Sequence, residues 1–508
     1  MPLLDFRYRA FLSKEQVDEL VRPSTDTVEL LYTWLAHNGI RPSSISRTHG
    51  GTWLTVSDLR VTQASELLGA SYQLYRNMKT NETIVRTVGY SLPEVVHRHV
   101  QTVMPATCFS SMEVTVQTPH RRSFGPVSAH MQGASGELGT MESRQPPPEP
   151  VVVGPENLRW LYGTEQYVPK PAAYGPGQNS IAVVGDRLPR QQDLTAFMDE
   201  YQKADANGAT FNIQSVDGIP PNLLELPDER SNVAVQYATA MAYPTPLFVF
   251  RILRNEAAFT QLLHFLLLMQ PVPRTIGISF NYFLEHNLPT LDMRAMCKLL
   301  QRFGARGSSV LVASGDNGVG PAEGCNTFHV GFPSSCTCDV YHPFQSPHKR
   351  ECKSLTRPCF AGPWVTSVGG TQNLHPEVAM PHSGGGFSRY FIYPWYQANA
   401  VPSFFHTAHY PYYQSPYYRY ASCSDLTFSY FVICAVSMVV ATPISPRKRS
   451  VVISTSMVLL SSRQAQPAQF RCVLSFPTSC SFRSPSSILK HPADSQCLDS
   501  CGYNLAAQ

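Results

Sequence analysis

Between residues 155 and 336, apolar β-branched runs at 181–184, 211–216, 247–250, 275–280 and 308–314 alternate with segments of helical apolar spacing. Those segments lie near 194–201, 233–241, 259–268 and 293–303. Runs apolar on both faces are what strands show when helices cover both sides of a sheet, so the alternation predicts an α/β domain with a parallel sheet. The last run breaks into Ser314-Gly315-Asp316-Asn317-Gly318. A carboxylate there would stand at the carboxyl end of a buried strand, where α/β folds place their chemistry. Asp316 could equally cap a following helix.

The pattern before residue 113 is different. Residues 13–21 read as a short helix, and Thr25 or Asp26 can cap a second one that Gly39 ends. A strand at 53–56, a helix at 61–68 closed by Gly69, and a strand at 72–75 complete a small α+β domain over 1–112. It holds no cluster of catalytic residue types. Residues 113–154, rich in Ser, Gly and Pro, read as an exposed linker to the domain that starts at 155.

Composition narrows the picture. With 43% hydrophobic residues the chain can bury real cores, and a net charge of +4 over 508 residues forms no basic stripe, which argues against nucleic acid as a partner. The longest apolar run, 428–442, is shorter than the roughly 20 residues a bilayer crossing needs, so no membrane partner is expected. The N-terminal stretch has no apolar core of signal-peptide length. Of thirteen cysteines, only Cys108, Cys297, Cys325 and Cys336 precede residue 337.

Three N-terminal segments, FLSKEQVDELVRPSTDTVELLYTWLAHNGI, SSISRTHGGTWLTV and ASELLGASYQLYRN, resemble the activation pro-domain of the sedolisins, the serine-carboxyl peptidases, in their fungal tripeptidyl-peptidase branch. LRWLYGTEQYVP (158–169) resembles the start of the mature peptidase, ASGDNGVG its SGD segment, and HSGGGFSRYFIYPWYQANAV (382–401) its SSGGGFS segment. The resemblance implies a subtilisin-like sheet, an extracellular enzyme, polypeptide substrates cut into N-terminal tripeptides at acid pH, and the chain's own pro-domain as a partner. It also implies calcium in intact members; that loop is not recognisable here, so no cofactor is expected.

In such a site a serine attacks the peptide carbonyl, a glutamate takes its proton, and an aspartate four residues later on the same helix face orients that glutamate. A second, protonated aspartate donates to the oxyanion. On the match, Asp316 takes that oxyanion role. The glutamate–aspartate pair should precede VQYATAMAYPTP (235–246), but Arg230 falls at the glutamate position and Ala234 at the aspartate position. Glu229 is one residue early, turned about 100° round a helix, and its own i+4 neighbour is Val233. It is either a base reached by a one-residue slip or a solvated first-turn residue favoured by the helix dipole.

Cys325, Cys336, Cys338, His342, His348, Cys352 and Cys359 crowd together at spacings open to a structural zinc site, though no regular CxxC pair occurs. Removing 337–361 joins FPSSC to PWVTSVGGT, which resembles the uninterrupted family segment, and the bounding codons admit splice-like strings. We therefore read 337–361 as a retained intron and expect no bound metal. After Arg419 the resemblance stops. A second such interruption would leave the rest out of frame, with the serine motif lost and residues 437–508 unable to fold. The expectation is a peptidase design over 155–419 whose product, as translated, is inactive.

Overall fold

In a computed structural model, the described residues are 11–78, 81, 83–109, 153–169, 179–201, 208–216, 229–253, 255–279, 283–315, 330–336, 364–372, 378–379, 383–385, 388, 390–391, 436–439, 490–492 and 503–505. The N-terminal unit begins with α1 (Lys14–Leu20) and α2 (Thr25–His37). Ser13 caps α1 through a capping box with Gln16. The cap of α2 is Ser24, not Thr25 or Asp26; its hydroxyl accepts from the Thr27 amide and Thr25 is already helical. Gly39, at φ 75°, ends the helix as expected.

Strands β1 (Ile45–Arg47) and β2 (Leu54–Val56) pair antiparallel, followed by α3 (Val61–Leu67), β3 (Gln73–Asn77), β4 (Thr83–Arg86), β5 (Gly89–Ser91) and α4 (Glu94–His97). Leu35, Ile40, Leu67, Leu68, Tyr90 and Val96 form this unit's own core. Periodicity alone does not show β1, β4, β5 or α4, each three or four residues long.

The α/β part runs α5 (Pro155–Leu161), β6 (Ile181–Gly185), α6 (Gln191–Tyr201), β7 (Asn212–Ser215), α7 (Glu229–Ala242), β8 (Leu247–Arg251), α8 (Glu256–Leu268), β9 (Thr275–Ile278), β10 (Phe283–Leu284), α9 (Thr290–Ala305), β11 (Ser309–Ala313), β12 (Gly331–Phe332), β13 (Thr366–Gln372) and β14 (Val378–Ala379). The five predicted strands lie side by side in the order β11-β9-β6-β8-β7, all parallel. Beyond β11 come parallel β13 and antiparallel β14.

The two faces of this sheet follow from the two-residue period of a strand. Along β6, Ile181 and Val183 enter one core with Leu194, Phe197 and Tyr237 of α6 and α7. Ala182 and Val184 enter the other, with Phe259, Leu262, Met296 and Phe303 of α8 and α9. Each face therefore needs its own helical layer, which is why the runs read as apolar throughout.

Three short strands, β15 (Val436–Val439), β16 (Lys490–Pro492) and β17 (Tyr503–Leu505), come from the region expected not to fold; β15 pairs parallel with β13, whereas β16 pairs antiparallel with β5 and β17 antiparallel with β3. Cys336 closes a disulfide with Cys297 of α9, so its sulfur is not available as the thiolate a zinc site would need. The remaining cysteines and histidines of that cluster lie outside the described residues, as does most of the linker.

The N-terminal unit sits on α8 and α9. Buried Glu256, in the first turn of α8, pairs with Arg86 at 3.1 Å. Buried Asp292, in the first turn of α9, accepts from the Thr102 hydroxyl. Lys298 donates to Gln101 at 2.8 Å, Arg302 to Thr52 Oγ1 at 2.9 Å, and the Leu12 amide to the Ala305 carbonyl at 2.9 Å. Trp53 stands edge-on to His264, with ring centroids 5.5 Å apart.

Candidate active site

The carboxyl ends of β11 and β6 frame the candidate site. β11 leads into Ser314 and Gly315, and Gly315 takes φ 113°, a conformation that strains any residue with a Cβ. The Ser314 amide donates to the Val368 carbonyl of β13 at 2.8 Å, and the Gly384 amide donates to the Gly315 carbonyl at 2.7 Å. A Cβ on Gly384 would stand 2.2 Å from the Ser314 carbonyl oxygen. Glycine in the GGG segment is thus required for backbone-to-backbone packing on the Ser-Gly turn. Ser383 fastens the same segment by accepting from the Gly370 amide at 3.0 Å. The nearby Ser388 hydroxyl donates to buried Glu285 at 2.6 Å and accepts from the Tyr390 and Phe391 amides. Asp316 itself lies outside the described residues.

Helix α7 begins at Glu229, four residues before the apolar period that predicted it becomes visible. Its first turn is polar and is pinned to the β6–α6 connection. Ser231 Oγ donates to the Arg187 carbonyl at 3.0 Å, and Asn232 accepts from the Arg190 amide at 2.8 Å. Asn232 also donates to Asp193 Oδ2 at 2.6 Å, and Gln236 donates to the Asp193 carbonyl at 3.0 Å. Ser231 lies so close to Gly185 at the end of β6 that a Cβ there would meet its hydroxyl at 3.2 Å. The contacts fix the helix rotation and so decide which residues occupy each slot.

Arg230 is half-buried near the start of the helix, and Ala234, one turn on, is buried in the apolar cluster with Val183, Leu194 and Val235. Glu229 is the first helical residue; four positions later stands Val233, fully buried. No residue four after Glu229 or Arg230 can orient a base. Tyr237, one turn beyond Val233, donates to the Val153 carbonyl, and burial raises its phenol above the ordinary range.

Other strong electrostatic perturbations lie away from this edge, under the N-terminal unit. Burial raises Glu256 despite Arg86 beside it, and burial raises Asp292 to about 7 against the hydrogen bond from Thr102. Burial, with Arg302 adding repulsion, lowers His264 to about 4. The sequence hides these groups because their partners are far away along the chain. Only Asn255, capping α8 ahead of Glu256, is locally legible. Among the described residues no group of three or more metal-ligating side chains forms.

Residues 5–109 match the pro-kumamolisin activation domain. Probable tripeptidyl-peptidase SED4 of Trichophyton verrucosum (strain HKI 0517) is 27% identical over 416 residues, 77% of this chain and 61% of its own length. Tripeptidyl-peptidase SED2 of Arthroderma otae (strain ATCC MYA-4605 / CBS 113480) is 25% identical over 433 residues, 78% of this chain and 64% of its own. The chain therefore spans less than two thirds of these relatives. A Pseudomonas sedolisin, a serine-carboxyl proteinase solved with two molecules of pseudo-iodotyrostatin, aligns with 49% of this chain and 67% of its own at 19% identity, with a TM-score of 0.33. Over 77–78% of its length the chain is thus similar to fungal tripeptidyl-peptidases, and its residues 5–109 match an activation domain of the pro-kumamolisin type.

Proposed function

We propose that this chain has the design of an extracellular serine-carboxyl tripeptidyl-peptidase acting on polypeptide N-termini at acid pH, and that as translated it is catalytically silent. Residues 1–112 act as its activation domain, 113–154 as the linker where that domain is cut away, and 155–419 as the peptidase domain interrupted at 337–361. Asp316 serves as the oxyanion donor, since it follows the Ser314-Gly315 turn on which Gly384 packs. Glu229 is a first-turn residue of α7 rather than a base. The observation that carries the reading of silence is Ala234, buried among apolar side chains where the dyad needs a carboxylate.

The test is release of tripeptides from N-terminally free peptides by the purified 508-residue chain between pH 3 and 6. No turnover is expected; turnover blocked by an aldehyde inhibitor directed at serine would overturn the proposal. A second reading, a non-catalytic scaffold, is favoured by the same Arg230 and Ala234 slots. A chain translated from transcript lacking both interruptions separates the two, because persistent inactivity at pH 4 points to the scaffold.

A further inference from the structure

Where α1 and β1 meet α8 and α9, a cavity of about 100 Å³ is lined by Lys14, Asp18, Arg47, His264, Arg302 and Arg306. That is room for several waters or one small tetrahedral ion. Lys14 and Arg47 come from the N-terminal unit; His264, Arg302 and Arg306 come from the helices it sits on. Lys14 pairs with Asp18 at 2.8 Å. Arg306 donates to the Leu267 and Met269 carbonyls at 2.6 and 3.1 Å, which satisfies its hydrogen bonds without cancelling its charge.

Arg302 uses one terminal nitrogen on Thr52; its Nε is buried, in a side chain 9% exposed, with no acceptor among the described residues. His264 Nε2 is buried in the same way with no partner among them. The surrounding charges do not balance. Asp18 attracts Arg302 and Arg306, and Glu15, exposed and bonded to Gln270, attracts Arg306. Arg274 adds repulsion to Arg306. Among the described residues, Asp18 is the one acidic side chain lining this cavity, against Lys14, Arg47, Arg302 and Arg306. Buried cations without counter-charge and buried donors without acceptors are both costly, and one ligand relieves both.

We propose that this cavity binds a single oxyanion of the phosphate or sulfate class, held between Lys14 and Arg47 on one side and Arg302 Nε and the His264 ring on the other. Guanidinium forks suit such oxygens, and a bound anion would tie the N-terminal unit to α8 and α9. The site does not depend on the peptidase reading.

Isothermal titration of the full chain at pH 7 with sodium phosphate and, separately, sodium sulfate tests it, with sodium chloride holding ionic strength constant. One saturable site is expected, together with a rise in melting temperature that tracks occupancy; the two arms tell which oxyanion the cavity prefers. Arg47→Gln, at an exposed position that leaves both cores intact, should weaken binding at least tenfold. Arg47→Glu should abolish it while raising the melting temperature of the anion-free chain, because the new carboxylate serves as the counter-charge. An absence of saturable heat, or equal stabilisation of wild type and Arg47→Gln as general salt exclusion would produce, overturns the proposal.

Discussion

Replacing Asp292 by asparagine should stabilise the docked arrangement at neutral pH and leave it nearly unchanged in acid. Asp292 is 3% exposed in the first turn of α9; it accepts from Thr102, feels the like charge of Glu256, and has no ion pair among the described residues. Burial lifts its carboxyl from 3.8 to about 7. A group raised on folding contributes fully below its unfolded pKa and loses that contribution as pH climbs through the folded value. The loss therefore falls between about pH 4 and pH 7, and at about 1.4 kcal/mol per pH unit it approaches 4 kcal/mol. Asparagine keeps the acceptor for Thr102 and removes the charge. It also forfeits the first-turn interaction with the helix dipole, about 0.3–1 kcal/mol. The net expected gain at pH 8 is about 3–4 kcal/mol. Native-state hydrogen exchange of α9 amides at pH 4 to 8 reads this directly. Wild-type protection should fall as pH rises, and the variant should keep only the shallower slope due to Glu256. Parallel profiles, or a variant less protected than wild type at pH 8, would refute the reasoning.

Arg86→Met strands the Glu256 carboxylate, 0% exposed; breaking such a buried pair costs about 3–5 kcal/mol. Limited proteolysis should then release the N-terminal unit more readily at pH 7 than at pH 4, where Glu256 can take up a proton. Cys297→Ser with Cys336→Ser opens a 39-residue separation and should lower stability by about 4 kcal/mol on the chain-entropy view, measurable by urea unfolding with matching loss on reduction. Gly384→Ala forces a methyl onto the Ser314 carbonyl and should cost at least about 1–3 kcal/mol, seen as a lower melting temperature. Ala234→Asp buries a carboxylate in an apolar cluster; its melting temperature should fall steeply above pH 6 and recover toward pH 4.

What could be read along the chain was the part governed by local periodicity. The five central strands are continuous apolar runs because helices cover both faces, so each announces itself without knowledge of its neighbours. Helix α7 was legible only from Val233, because its first turn, Glu229 to Asn232, is polar and is held by hydrogen bonds to Arg187, Arg190 and Asp193. Strand β13 escaped notice because Gly369 and Gly370 interrupt its pattern. The disulfide could not be read either: Cys336 sits in a cysteine-rich stretch and Cys297 on a helix, and spacing does not encode pairing. Arg86 and Glu256, 170 residues apart, belong to the same class of long-range fact.

The candidate site and the docking face make opposite uses of carboxylates. At the sheet edge, resemblance asks for carboxyl groups and α7 supplies Arg230 and Ala234 instead. Under the N-terminal unit, nothing local calls for carboxylates, yet Glu256 and Asp292 are buried there with raised proton affinity. Because both are raised on burial, acid strengthens this contact rather than loosening it. Protonation of these two residues therefore does not free the N-terminal unit. On Glu256 and Asp292 alone, a fall in pH keeps the N-terminal unit seated over α8 and α9.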